Sequence, residues 1–306
     1  MTDENTKLPS PFLPGTNIQF AFDSISLGWL KECARKYQYS MLEGWRSNAS
    51  SAHLVFGLEY HSALQLYDHL RLGVEYEEAL HTTVAATMAH TTNWAPDHPT
   101  KTRENLVRSV IWYLENFRDD PAKTIILANG EPAVELSFKM ELDWGPKDTQ
   151  PYLLCGHIDR LVTFAEGTYV MDRKTTNSAL GASYFDNFNP DNQMSLYTLA
   201  AKIIYQTPVK GVIIDAAQIQ VGATKYARGF TYRSDAQLTE WLIDTTYWLD
   251  QAVRYAEANY WPMNDKACNN HGGCVFRRVC SKSPDIRHKF LESDFHKESW
   301  NPLEPR

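Results

Sequence analysis

Residues 156–176, "GHIDRLVTFAEGTYVMDRKTT", decide the fold. They read as two strand-like runs joined by a short turn at Glu166-Gly167. In the second run, apolar Val170 and Met171 give way abruptly to Asp172, Arg173 and Lys174. Side chains two apart on a strand share a face, so Asp172 and Lys174 point together and Arg173 points away. An antiparallel pair closed by that turn sets Asp159 close to Asp172 and Lys174 across the ladder. Two carboxylates and an amine then converge at one sheet edge. The carboxylates suit a hard divalent cation such as Mg2+ or Mn2+. Such an ion activates water, and a lysine can orient that water or offset charge developing on a phosphate. Taken alone, Asp-x-Lys is a weak signal and reads first as a cross-strand salt bridge on a solvated face.

Outward from this hairpin, the periods change. Upstream, "VELSFKM" (134–140) alternates apolar and polar residues as a strand does. Helical patterns cover 24–46, 55–72, 75–92 and 101–118, with Ser24 or Ser26 available to cap the first. Downstream, a helix is expected at 191–205, with Asn189 and Pro190 as cap and first turn. Strands at 211–221 and 226–233 and a long helix at 235–258 follow. The partition expected is an extended arm at 1–23 and one domain at 24–281. Within that domain, 24–130 is helical, 131–260 is the core, and 261–281 is a cysteine-rich tail. Residues 282–306 form an extension.

The bulk composition is that of a globular chain. Its 306 residues are 43% hydrophobic, 22% charged and 12% aromatic. A net charge of -7 argues against a surface that coats nucleic acid all over, yet allows a local basic groove. "KECARK" (31–36) and "FRRVCSK" (276–282) are two basic stretches suited to phosphates. The polar N-terminus carries no secretory signal and no apolar run approaches a membrane span, so a cytoplasmic location is the default and no membrane partner is expected. Disulfides are then not expected for the five cysteines. Cys268, Cys274 and Cys280 recur every six residues around Gly272-Gly273, which points to metal. Zinc is one occupant, with His271 as a substitute ligand. Cys155 reads as a small buried hydrophobe.

This order of elements resembles the PD-(D/E)XK nuclease superfamily. Within it, the chain is similar to the RecB-like exonucleases, including the iron–sulfur nucleases of CRISPR adaptation and AddB-type repair. "GLEYHSAL" supplies His61 where those nucleases carry a metal-ligating histidine. "AVELSF" supplies Glu135 in the place of the glutamate ahead of their active-site hairpin. "GHIDR" supplies Asp159, "MDRKT" supplies Asp172 and Lys174, and "NQMSLY" supplies the Gln-x-x-x-Tyr pair Gln193 and Tyr197. Cys33 matches the position of their first cluster cysteine. The likeness runs from about 24 to about 281.

The resemblance implies an α/β fold with a restriction-endonuclease-like core, in which a central mixed β-sheet is flanked by helices. The helical N-terminal part and the cysteine-rich tail would be tied by a 4Fe-4S cluster on Cys33, Cys268, Cys274 and Cys280. It also implies a metal-dependent DNA nuclease. His61, Asp159, Asp172 and the backbone carbonyl of Arg173 would hold Mg2+ or Mn2+. Lys174 would position or activate the attacking water, and Gln193 and Tyr197 would hold substrate. The expected activity is that of an exonuclease on single-stranded or end-containing DNA. Recombination, repair, phage DNA processing and CRISPR-adaptation-like processing are the contexts implied. A site-specific or structure-specific endonuclease is one alternative, and a non-catalytic DNA-binding scaffold subunit is another. No P-loop is present, so unwinding would need a helicase or recombination partner. An oligomer stays open.

Overall fold

The protein is described from a computed structural model, which covers residues 9–49, 51–146, 150–206 and 208–304. In chain order come β1 (Ala21–Phe22), α1 (Ser24–Glu32), α2 (Ala34–Tyr37), a π-helical turn (Gln38–Leu42) and β2 (Trp45–Ser47). Three helices follow, α3 (Ala52–Leu70), α4 (Tyr76–His90) and α5 (Arg103–Asn116). Then come β3 (Lys123–Thr124), β4 (Val134–Glu141), β5 (Leu153–Phe164), β6 (Gly167–Thr176), α6 (Ala182–Phe185) and α7 (Asn192–Ile204). The chain ends with β7 (Val209–Ile219), β8 (Thr224–Thr231), α8 (Asp235–Glu257), α9 (Arg277–Cys280), α10 (Arg287–Asp294) and β9 (Phe295–Lys297).

The central sheet has the order β1-β5-β6-β7-β8, with β3 and β4 also pairing with β5. It is mixed. β6 and β7 are parallel, with α7 in their crossover, while β5–β6 and β7–β8 are antiparallel. The β5–β6 hairpin runs in register from Arg160↔Met171 to Phe164↔Gly167. Its loop is therefore Ala165-Glu166, one residue earlier than expected. Both loop residues take positive φ, +42° and +60°, the sense that matches strand twist in a two-residue turn.

The chain divides into two compact units. One gathers Ser51–Leu136 and His157–Ser234. Its core joins Phe56, Tyr60, Ala63 and Leu64 of α3 to Leu106, Val110, Tyr113 and Leu114 of α5 and Ala217 and Ile219 of β7. The α3 residues recur at helical spacing, which gives one apolar stripe to bury. The other unit gathers Met1–Ser50, Ser137–Gly156 and Asp235–Arg306. Here Tyr39, Phe276, Val279, Leu291 and Phe295 form a core cluster, and β2 pairs antiparallel with β9.

Three local expectations change. Helix 24–46 is interrupted, because Cys33 is extended at φ -163° and ψ 116° and its Sγ accepts from the Asn264 backbone N–H at 3.3 Å. Asp23, not Ser24 or Ser26, caps α1, and Ser26 returns the bond to the Asp23 N–H in a capping box. Within the segment expected as an extended arm, Ala21 and Phe22 are fully buried and pair with Leu153 and Leu154.

Candidate active site and cysteine cluster

Strand alternation places the site. Asp159 stands one step beyond the Arg160↔Met171 pair, opposite Asp172, and its Oδ2 accepts from the Arg173 backbone N–H at 2.8 Å. Asp172 and Lys174 do share a face, with Lys174 Nζ 2.7 Å from Asp172 Oδ2. The same ammonium donates to Gln193 Oε1 at 2.8 Å, and Gln193 Nε2 donates to the Tyr197 hydroxyl at 3.0 Å. The four-residue spacing on α7 thus builds a relay that fixes the lysine. Gln193 is half-buried, whereas Tyr197 is buried behind it. Asp191 caps α7 by accepting from the Met194 N–H at 2.9 Å, so Asn189 and Pro190 are not its cap.

His61 arrives from α3. Its Nδ1 is 3.3 Å from Asp159 Oδ2. One ligand atom from each of His61, Glu135 and Asp159 falls within 4.8 Å of the others, a set of one imidazole and two carboxylates that fits a divalent cation. Glu135 gets there from a backbone at φ +49°, a left-handed conformation that a non-glycine residue seldom holds inside a strand. Asp172 lies outside this trio and pairs with the lysine instead.

The electrostatics agree with the arrangement. Burial lowers the His61 pKa against the pull of Asp159, so the ring is neutral and able to ligate. Burial, helped by Asp159 and opposed by Lys174, pushes the Asp172 carboxyl up to about 7. Burial alone would depress the Lys174 ammonium, but Asp172 and Asp159 outweigh it and hold it above its ordinary value. A cation beside Asp159 would draw the Asp172 carboxyl back toward the ionised form. When bound, such an ion supplies Lewis acidity to a phosphate and a lowered pKa to water. Lys174, anchored by Asp172 and Gln193, holds its ammonium beside the same site.

Behind the site lies a network that the sequence reading missed. Arg173 does point away, and its guanidinium donates to Asp68 at 2.7 Å. Arg160 also approaches Asp68, at 3.7 Å. Across the ladder Arg173 pairs with Asp215 and Asp215 with Arg228, which grips Asp120 with two bonds of 2.6 and 2.8 Å. The available signal was Asp68 itself, seven residues after His61 and hence on the same face of α3. Asp68→Ala leaves Arg173 charged and 3% exposed, so a loss of about 3–5 kcal/mol is expected in chemical denaturation. Asp68→Leu combined with Arg173→Met is expected to recover most of it. Tyr184 was missed too. It sits in the field of Lys174 and Asp172, and it packs against Phe185 and Phe188 at 5.2 and 5.5 Å.

In the other unit, Cys33, Cys268, Cys274 and Cys280 line one small cavity together with Lys36, Asn264 and Phe276. Burial raises the thiol pKa of Cys274, and that of Cys280 to about 11. Four converging thiols with cationic Lys36 beside them fit a thiolate-ligated metal group. The His271 side chain lies outside the described residues. Cys155 is buried among Ala21 and Leu303, as a small hydrophobe would be.

Among solved structures, the chain is similar to a candidate exonuclease from Eubacterium rectale. The match has 12% identity and a TM-score of 0.50 and covers 88% of this chain and 92% of that one. A second, the protein SSO0001, matches at 12% identity and a TM-score of 0.30 over 72% of this chain and 84% of that one. A search of curated proteins finds no match. No helix among the described residues is long and apolar enough to cross a membrane. The family model described as the PD-(D/E)XK nuclease superfamily matches residues 26–281. The chain therefore belongs to the PD-(D/E)XK nuclease superfamily, whose members hydrolyse phosphodiester bonds with a divalent metal such as Mg2+.

Proposed function

We propose that the chain is a metal-dependent deoxyribonuclease acting as an exonuclease on single-stranded or end-containing DNA. The observation that carries the reading is one convergence: the His61–Glu135–Asp159 trio beside the Asp172–Lys174 pair. In it, His61, Asp159 and Glu135 hold Mg2+ or Mn2+, with Asp172 and the Arg173 carbonyl completing the ligand shell. Lys174 positions the attacking water, and Gln193 both orients Lys174 and meets the substrate. The structural likeness to the candidate exonuclease carries the fold alone. Preference for ends rests on the sequence resemblance, as do a helicase or recombination partner and a setting in repair, phage DNA processing or CRISPR adaptation.

The four cysteines hold a 4Fe-4S cluster in this reading. Tetrahedral zinc would bring its sulfurs to roughly 3.8 Å from one another. The four cysteines line one cavity, and the resemblance to the iron–sulfur nucleases favours the cluster over zinc.

End-labelled linear DNA and a covalently closed single-stranded circle, each with Mg2+ or Mn2+ and with an EDTA control, test the activity. Stepwise loss of the linear strand with the circle intact is the expected result. Nicking of the circle reassigns the chain as an endonuclease. Binding without cleavage of either makes it a scaffold. Full activity in EDTA removes the metal mechanism.

A further inference from the structure

Lys101 is fully buried, and its Nζ has no hydrogen-bond partner among the described residues. The ammonium lies 4.4 Å from the centroid of the Phe56 ring, in the second turn of α3. A lone buried cation is strongly disfavoured, and one aromatic face offsets little of that cost. Burial pushes its pKa down to about 8, which still leaves it charged at neutral pH.

Two imidazoles stand with it. His98 Nδ1 accepts from the backbone N–H groups of Thr100 and Lys101, at 3.2 and 2.9 Å. Its proton therefore sits on Nε2, which is left as a donor. The His53 ring stands edge-on to His98 at 4.7 Å and is solvent-exposed. Burial, then Lys101 and His98, depress the His53 pKa. His53 also belongs to the first turn of α3. There Ser51 Oγ takes the Leu54 N–H at 3.2 Å, and the amides before it point out of the helix start.

The geometry points to a use for these donors. His53 precedes His61 by eight residues, or roughly 12 Å along α3. That is a few nucleotides along a strand at about 3.4 Å of axial rise each, and fewer when the strand is stretched. Gly57 lies between the two histidines, and a side chain there would meet Thr175 Oγ1 at 3.7 Å, just past Lys174 on β6. The α3 face from His61 to His53 thus starts at the candidate metal site and passes the end of β6.

We propose that Lys101, His98 and His53 form a second phosphate site, which holds a backbone phosphate of the DNA strand whose scissile phosphate lies at the His61 centre. The proposal rests on the nuclease reading for the identity of the ligand. The phosphate displaces the exposed His53 ring far enough to reach the ammonium and supplies the anion that the buried lysine lacks.

The test has two arms. In the first, the full chain in EDTA is titrated with inorganic phosphate while the histidine ring resonances are followed by NMR. Saturable shifts at His53 and His98 are expected, with a rise in the His53 pKa. Lys101→Met is expected to abolish those shifts and to raise Tm, because it removes an uncompensated buried charge. If Lys101 is purely structural, Tm falls instead and the proposal fails. Exposed His53→Ala serves as a second variant and is expected to weaken the shift at His98. Absence of shifts in the wild type, or identical shifts in Lys101→Met, overturns the site.

In the second arm, Lys101→Met and His53→Ala are expected to raise KM for a linear oligonucleotide roughly tenfold with kcat within about twofold. The salt slope of binding is expected to fall by about one. A neutral methylphosphonate linkage a few nucleotides from the cut should reproduce the loss in wild type and add nothing in Lys101→Met. A loss seen only when a terminal phosphate is removed overturns the backbone assignment. If the wild type cleaves nothing, the nuclease reading falls, while the phosphate titration still decides whether the site exists.

Discussion

Asp172→Asn and Lys174→Met are each expected to lower strand cleavage by about 10³-fold or more, a loss of roughly 4 kcal/mol of transition-state stabilisation. Neither change should unfold the chain. Asparagine keeps the volume of Asp172, and the Lys174 side chain, 29% exposed, can resolvate when its partner is gone. The measurement is single-turnover cleavage of end-labelled DNA under saturating Mg2+, beside a thermal melt of each variant. Wild-type rates from either folded variant would sink the assignment. A second readout comes from the Asp172 carboxyl, which burial holds at about 7 against an ordinary value of 3.8. Between these values the native state binds the extra proton, so the metal-free protein should lose stability as pH rises from about 4 to 7. Mg2+ should offset that loss if Asp172 joins its ligand shell. Asp172→Asn should flatten the pH dependence in either case.

The hairpin was legible because strand alternation is a local property. Once Asp159 and Asp172 were placed on facing strands, the lysine had to join them and Arg173 had to leave. The breaks from expectation share one cause, since distant contacts override a local pattern. Nothing near Cys33 forbids a helix. It is extended there while Asn264, 231 residues away, donates its backbone N–H to the thiol. Glu135 was singled out by the resemblance, while by alternation it is equally a polar strand residue, and its positive φ has no signature in a sequence that carries glutamate there. At α7, Asn189 and Asp191 are equally good caps by type, and only the bond to Met194 decides between them. Tyr197 shares the helix face of Gln193, as the four-residue spacing expects, but it is buried rather than aimed outward, and that burial depends on elements that periodicity does not position. Asp68 was overlooked because a lone acid on a helix reads as solvated. Its partner Arg173 sits 105 residues away on a strand chosen for other reasons.

Anaerobically purified protein is expected to be brown, with iron and sulfide near four each per chain, and Cys33→Ala or Cys280→Ala should bleach it. The expected stability loss is the largest of any change outside the nuclease centre. A group bound only by the folded chain adds its binding energy to folding, and closing a loop of this length is worth about 5 kcal/mol in chain entropy. For a chain of this size that is on the order of 10 °C in Tm. The loss should be local, because the ends of this unit are joined by more than thiols. β2 pairs with β9, Arg35 Nε donates to the Trp261 carbonyl at 2.8 Å, and Tyr37 packs on Trp261 at 5.1 Å. Proteolysis should therefore open the segment around the 3₁₀ turn Asp265–Gly272, much of it exposed, before it frees β9. With Cys280 raised to about 11 and Cys274 also raised by burial, both thiols are protonated at neutral pH until a metal group takes the protons' place, so acid should release it. All the nuclease residues belong to the other unit, so the bleached variants should still cleave DNA at low temperature and fail only as they unfold. Zinc in place of iron would keep the staple and discard the cluster. A colourless, metal-free chain that melts at the same temperature after Cys33→Ala would discard both.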